Sequence, residues 1–170
     1  MGKQILPGTY KVVAEFREHR DSARIKVDFD PRISKSTEVL AAQRDLLDDL
    51  LRAVNVLYDG NQMLNESMET SDKISAQAAG WKDEKAKELQ KATKAIHDSI
   101  SAVQDLIFGK QPENVQGITG RQEVTVTGKI MEAMQYIRSR PGKPTATEMK
   151  LANEAKSLIR EAINRINLFF

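Results

Sequence analysis

The chain has no cysteine among its 170 residues and only two histidines. Disulfides, thiolate metal sites and cysteine nucleophiles are thereby excluded, and a histidine metal cluster has too few ligands. Long hydrophobic runs are also missing. The strongest, such as Leu106 to Phe108, last a few residues, against the roughly 20 needed to cross a bilayer, so no membrane span is expected. Neither sign of charge is in excess: 26 Lys and Arg face 24 Asp and Glu, a net +2. That balance offers no general attraction to nucleic acid or to an anionic membrane. The opening MGKQILPGTY has one Lys but no apolar stretch of the kind a signal peptide needs. What the chain does have is 40% hydrophobic content, enough to build the core of one ordinary domain.

The pattern changes character near residue 33. Thr9 to Phe16 and Ala23 to Phe29 are rich in β-branched and aromatic residues, and Ile25, Val27 and Phe29 alternate with Lys26 and Asp28, which predicts two strands. The polar stretch Arg17 to Ser22 between them reads as a hairpin loop, with Pro7-Gly8 marking the entry and Asp30-Pro31 the exit. A two-stranded hairpin is marginal alone in water, so it must pack on the rest of the chain or belong to a larger sheet.

From Ser36 onward the periodicity is helical. Ser36 or Thr37 can cap, and Leu40, Leu47, Leu50, Val54, Leu57 and Leu64 recur at three, four or seven residues. Met63, Met68 and Ile74 extend the stripe past Asp59-Gly60-Asn61 to Ala79-Gly80, predicting one long helix weakened at Gly60. A second helix is predicted from about Trp81 to Phe108, its buried face using Leu89, Ile96, Ile100, Val103 and Ile107, and Gly109 ends it. Gly109 to Gly120 reads as loop. A third helix follows over about Val124 to Ser139 through Ile130, Met131, Met134 and Ile137, although Val124 to Thr127 is strand-like and leaves its start open. Pro141-Gly142-Lys143-Pro144 breaks the chain. A fourth helix, capped by Thr145 or Thr147, then runs toward Phe170 on Leu151, Ala155, Leu158, Ala162 and Ile166. The fold class is mainly α: an antiparallel bundle of three to four helices, one very long, preceded by an N-terminal β-hairpin, with residues 1–35 and 36–170 as its two parts.

Charge is unevenly spread. Residues 36–80 carry eight acidic and three basic side chains, residues 1–35 five acidic and eight basic, and residues 110–147 three acidic and six basic. The long acidic helix either attracts the basic hairpin or the region of the third helix or, since exposed pairs contribute little, is a solvated charged face with no partner, the reading that ordinary surface electrostatics favours.

Catalytic patterns are sparse. Asp45, Asp48 and Asp49 beside Arg52 sit within two helical turns, a spacing ordinary for surface pairs. A helical di-iron site wants Glu-x-x-His repeats, and neither His19 nor His97 has a Glu three residues earlier; His97 lies beside Asp98 at the edge of the Ile96, Ile100 stripe. There is no Gly-x-Ser-x-Gly elbow, and Gly117-Ile118-Thr119-Gly120 lacks the length and Lys of a phosphate loop. Lys87, Lys91 and Lys94 line one helix face, but Glu84 and Glu88 are interleaved with them, as on a solvated face. Trp81 reads as an anchor into the core, and Asn65-Glu66-Ser67 matches a glycosylation sequon. No catalytic, metal or cofactor-binding residue is assigned, no cofactor is implied, and the chain is not expected to be an enzyme in its own right.

A resemblance enters with LPGTYKVVAEFREHRDSARIKVDFDPRIS and the helix TEVLAAQRDLLDDLLRAVNVLYD that follows it. This stretch resembles the C-terminal region of bacterial sortilin-like, BNR (Asp-box) repeat β-propeller proteins of the glycosyl hydrolase-like kind. The residues that carry it are Pro7, Gly8 and Tyr10 in the first strand and Asp30, Pro31 and Arg32 in the turn before the long helix; RPGKPTATE and INLFF also fit. The resemblance implies that the hairpin closes a small β-sandwich and that an Asp-Pro-Arg turn leads into a helical tail. It also implies that any glycosidase site belongs to an upstream propeller, since no Asp-box motif occurs in this chain. The expected role is a noncatalytic accessory module in scaffolding or oligomerisation, with the upstream β-propeller and β-sandwich of the same parent as partner and a homo-oligomer as a further association. The resemblance implies a periplasmic or cell-surface parent. The rival expectation is a free-standing helical adaptor that binds a partner protein through its acidic long helix.

Overall fold

The computed structural model describes residues 5–28, 30, 32, 36–81, 83–110 and 124–170. Within these residues the chain is mainly helical, with an antiparallel hairpin ahead of four helices.

The hairpin pairs β1 (Gly8–Phe16) with β2 (His19–Val27), in a register that sets Gly8 opposite Val27 and Phe16 opposite His19. The expected six-residue loop is a two-residue turn, Arg17–Glu18, with Arg17 in the left-handed region at φ 54°. Arg20, Asp21 and Ser22 belong to the strand because they pair with Glu15, Ala14 and Val13, and Arg20 Nε contacts Glu15 Oε1 at 3.0 Å across the pair. Phe29, the expected end of the second strand, lies outside the described residues.

Helix α1 (Thr37–Ala78) runs unbroken for 42 residues through Gly60, with Ser36 as its N-cap. Helix α2 (Glu84–Phe108) starts three residues later than the periodicity suggests. Asp83 is its N-cap, accepting from the Ala86 amide at 2.8 Å, and Gly109 closes it at φ 88°. Helix α3 (Val126–Ser139) begins at Thr125, whose hydroxyl accepts from the Gly128 amide, so the strand-like Val-Thr-Val-Thr run is a cap and a first turn. Helix α4 (Ala146–Phe169) follows the Pro141–Pro144 breaker.

Cross-helix contacts fix how the helices run. Ser71 Oγ donates to Thr93 O at 3.2 Å and Gln104 Nε2 to Asn65 Oδ1 at 2.7 Å, so α2 lies antiparallel along the distal half of α1. Thr127 Oγ1 donates to Ile107 O at 2.9 Å, and Gln43 Nε2 to Arg140 O at 2.8 Å and Gly142 O at 2.9 Å. Helix α3 thus takes up where α2 stops and follows the proximal half of α1 in the same direction as α2. Helix α4 returns antiparallel to α3 and parallel to α1. It meets α1 through the Lys156 Nζ to Asp49 Oδ2 contact of 2.6 Å and the approach of Ile166 to Gly60.

The core follows from this arrangement. Leu50, Leu64, Ile100, Ile107, Ile137 and Ile159 are fully buried, joined by Ala133, Ala152, Ala155 and Ala162 where helices come closest. Several stripe residues lie elsewhere. The centre of α4's inner face is Ala152 and Ile159, with Leu151 and Leu158 flanking it half-buried. Met131 is 70% exposed, while Met63, Ile74 and Ile96 remain on the surface. Among the described residues neither strand packs against any helix.

Candidate functional site

Two surfaces stand out once the bundle is assembled. The first is one face of the hairpin. Directly opposed residues share a face of the sheet, so the register puts Tyr10 with Ile25, Val12 with Ala23 and Phe16 with His19 on one side. The other side carries Lys11 with Arg24, Thr9 with Lys26 and Glu15 with Arg20. The hairpin is amphipathic: one face apolar, the other largely cationic. Val13, opposite Ser22, lies on the cationic side. The apolar face is open to solvent, with Val12 and Ile25 nearly half exposed and Phe16 at 70%. Tyr10 Oη donates to Leu6 O, which fixes the entry of β1, and Arg17 lies over the Phe16 ring at 5.2 Å.

The second surface is a groove of about 540 Å³ between the distal half of α1 and the N-terminal half of α2, floored by Phe169 and Phe170. It exists because α4 ends where α1 and α2 continue. Met63 and Ile74 from α1 and Leu89, Ala92 and Ile96 from α2 form its walls. Three of its hydroxyls are engaged: Thr70 Oγ1 donates to Glu66 O at 2.8 Å, Ser71 Oγ to Thr93 O at 3.2 Å, and Thr93 Oγ1 to Gln90 O at 3.0 Å. The lining is mainly apolar, with Glu66 and Ser67 adding polar atoms. Ile96, expected in the core, belongs here.

The residues singled out for chemistry do not converge. Asp45 contacts Arg44 at 3.2 Å, while Asp49 meets Arg52 at 3.2 Å and Lys156 at 2.6 Å. The Lys156 ammonium holds Asp49 below its ordinary value against the opposing effect of burial, so this carboxylate ties α1 to α4. His97 is exposed in mid-α2 and His19 is exposed at the start of β2. Lys87 contacts Glu84 at 3.0 Å, and Lys91 and Lys94 are exposed. Asn65 sits inside α1 as the acceptor for Gln104. Trp81 does not enter the core: it is 58% exposed at the turn between α1 and α2, because α2 begins only at Glu84. Gly117 to Gly120 lies outside the described residues. Among the described residues no group of three or more His, Asp or Glu can hold a metal ion, and no helix is long and apolar enough to cross a membrane. The Asp30–Arg32 turn closes on itself, with Arg32 Nε and Nη2 donating to the Asp30 carboxylate at 3.0 and 2.8 Å. Of the two attractions expected from the charge distribution, the one toward the third-helix region is realised by Lys143 Nζ to Glu38 Oε2 at 2.9 Å.

The largest displacement of a carboxyl belongs to Glu148, brought down to about 2 from 4.5. Its carboxylate accepts first from the Thr145 hydroxyl and then from the Thr145 amide, with Arg140 adding attraction while burial opposes. This is the capping box of α4, and the only signal for it in the sequence is the Thr-x-x-Glu spacing. A lowered native pKa means that the unfolded chain binds the extra proton. The stabilisation is complete above about pH 4.5 and is lost as pH falls toward about 2. Glu148→Gln should flatten that part of the acid dependence, read as urea midpoints of variant and wild type converging at the acid end.

Comparison with protein-family models, with curated proteins and with solved structures returns no match.

Proposed function

We propose that the chain is a noncatalytic structural module whose hairpin completes a β-sheet lying outside the bundle and whose helices act as a scaffold and an oligomerising element. The observation that carries this reading is the uncovered apolar face of Tyr10, Val12, Phe16 and Ile25, on a hairpin that, among the described residues, packs on none of the helices. A two-stranded sheet has too little buried surface to hold itself together in water. Its two free edges also present unpaired backbone groups that seek another strand. A sandwich supplies both requirements, a second layer for the apolar face and a neighbouring strand for an edge. The parent suggested by the hairpin and its Asp30-Pro31-Arg32 exit is a secreted propeller protein of the sortilin-like, BNR-repeat kind, with any glycosidase chemistry in its upstream part.

The test separates hairpin from bundle. Removing residues 1–32 should leave the helical circular dichroism and urea midpoint of the remainder nearly unchanged and reduce binding of a dye specific for apolar surface. In the full chain, hairpin amides should exchange with solvent far faster than those of α1 and α4. Loss of the helical signal on truncation, or hairpin protection equal to that of the bundle, would sink the proposal, because the hairpin would then be an integral layer of a self-sufficient fold.

A further inference from the structure

We infer that the outer edge of β1 pairs with the β1 of a second copy of this chain, antiparallel about a two-fold axis at Val13, so that two hairpins join into one four-stranded sheet. This rests on reading the hairpin as part of a sheet lying outside the bundle, and it names the strand that supplies the neighbour.

Backbone geometry selects the residues. The turn Arg17–Glu18 leaves Phe16 and His19 as the closing pair, and a two-residue turn makes that pair exchange both of its N–H···O bonds. Alternation along the ladder then bonds Tyr10, Val12, Ala14 and Phe16 to β2 and turns the N–H and C=O groups of Thr9, Lys11, Val13 and Glu15 outward. On the opposite edge the outward groups belong to Arg20, Ser22, Arg24 and Lys26. The two edges differ in chemistry. The β2 row offers no acid to an identical row in any register, and its lysine and arginines are the usual protection of an edge. The β1 row carries one cation and one acid.

One register uses both charges. With Val13 opposite the Val13 of the other copy, Lys11 faces Glu15 and Glu15 faces Lys11, so one complementarity occurs twice, as a closed isologous contact requires. Among the described residues Lys11 forms no ion pair within its own chain. Glu15 meets Arg20 through Oε1 at 3.0 Å, and the Lys11 of the other copy adds a second cation on its open side. On the apolar face the same register sets Tyr10 against Phe16 of the other copy and Val12 against Ala14. These are non-hydrogen-bonded pairs, in which side chains come closest, and all four residues are exposed in the single chain. Sliding by two residues leaves both charges opposite other partners, and sliding by four sets Lys11 against Lys11 or Glu15 against Glu15. The two-fold also places the open end of each hairpin, from which its helices follow, level with the turn of the other, so the bundles lie at opposite ends of the joint sheet. The overlap from Tyr10 to Phe16 is about 24 Å long with about six backbone hydrogen bonds. That is less than the about 1,000 Å² of a standard interface, so the dimer is expected to dissociate on dilution.

The experiment uses the absence of cysteine, which lets a single introduced thiol in the full chain report its own position. The axis brings the two Val13 Cα atoms to about 5.5 Å, within disulfide reach. Under mild oxidation Val13→Cys should therefore give a covalent dimer, about tenfold faster than Ser22→Cys, which is as exposed but on the other edge. A mixture of Lys11→Cys and Glu15→Cys chains should give the mixed disulfide over either like-with-like product, because like positions lie about 14 Å apart. Without cross-linking, sedimentation equilibrium should move from one chain mass toward twice 19.1 kDa with concentration. Lys11→Glu, which sets acid against acid twice, should weaken that association about tenfold with unchanged helical content. Equal rates for Val13→Cys and Ser22→Cys, or no preference for the mixed disulfide, overturn the inference. A wild type that stays one chain up to about 1 mM, its hairpin amides unprotected, overturns the pairing and leaves the sheet-completing reading standing. Hairpin amides protected in the dilute single chain overturn both, because the hairpin would then be held by its own bundle.

Discussion

Replacing Leu50 by Ala is expected to cost about 2–5 kcal/mol of folding stability, while the same replacement four residues on, at Val54, is expected to cost about 1 kcal/mol. Both residues belong to the stripe of α1, and periodicity alone treats them alike. Packing separates them. Leu50 is fully buried in the cluster shared by α1, α3 and α4, so truncation removes contacts on every side and leaves a cavity its neighbours fill only in part. Val54 lies at the edge of that cluster and is half-buried, so part of its surface is hydrated already. Stabilities of domains of this kind are about 5–15 kcal/mol in all, so Leu50→Ala removes a large fraction and Val54→Ala a small one. Urea unfolding of the two variants reads the difference in midpoint. Equal midpoints would mean that the rotation of α1 about its axis is not the one described.

The helices were legible because their signals concern what a segment can bury, and in most places that surface is buried. The unbroken passage of α1 through Gly60, the Gly109 stop and the Pro141–Pro144 break are local features with local causes. Periodicity could not say which part of a stripe finds a partner. Met63, Ile74 and Ile96 have the spacing of core residues, yet α4 is 24 residues long against 42 for α1 and leaves them uncovered. The groove is thus a consequence of unequal helix lengths and of where α4 sits along α1. Trp81 stays outside for a related reason: its size marks it as a core anchor, whereas Asp83 supplies the cap that starts α2 after it.

Small and polar core members were invisible in a different way. Ala152 and Ala162 are fully buried where α4 approaches its neighbours, but alanine contributes little to an apolar stripe, so the stripe alone points to the larger Leu151 and Leu158. Gln43 sits four residues before Leu47 on the inner face of α1 and satisfies the Arg140 and Gly142 carbonyls in the break between α3 and α4. A buried amide is tolerated only with such partners, and no sequence pattern announces acceptors 97 and 99 residues away. The hairpin's turn is shorter than its polar stretch because polarity alone does not distinguish a loop from an exposed strand. A strand with neither face covered by the bundle has no need of an apolar residue at every second position, and Arg20, Asp21 and Ser22 pair as well as any.

Gly60 offers the sharpest test of the parallel α1–α4 contact. A Cβ added there would lie 3.1 Å from Ile166 Cδ1 and 3.6 Å from its Cγ2. Gly60 has ordinary helical geometry, so its role is to admit a side chain from α4. Gly60→Ala exchanges a helix-propensity gain of about 1 kcal/mol against a shift of a few tenths of an ångström at Ile166, and the net change is expected to be small. Gly60→Leu drives three more carbons into occupied space and should cost about 1–3 kcal/mol by overpacking. Ile166→Ala alone opens a cavity and should cost about 2–5 kcal/mol. The double variant nearly conserves side-chain volume at the contact, the new leucine filling the space the isoleucine leaves. Its loss should therefore fall short of the sum of the two single losses by about 1–3 kcal/mol, the coupling expected of residues in direct contact. Strictly additive losses, measured as urea midpoints with unchanged slopes, would mean that Ile166 is not what Gly60 accommodates. Helix α4 would then lie at another height on α1, and the floor of the groove would move with it.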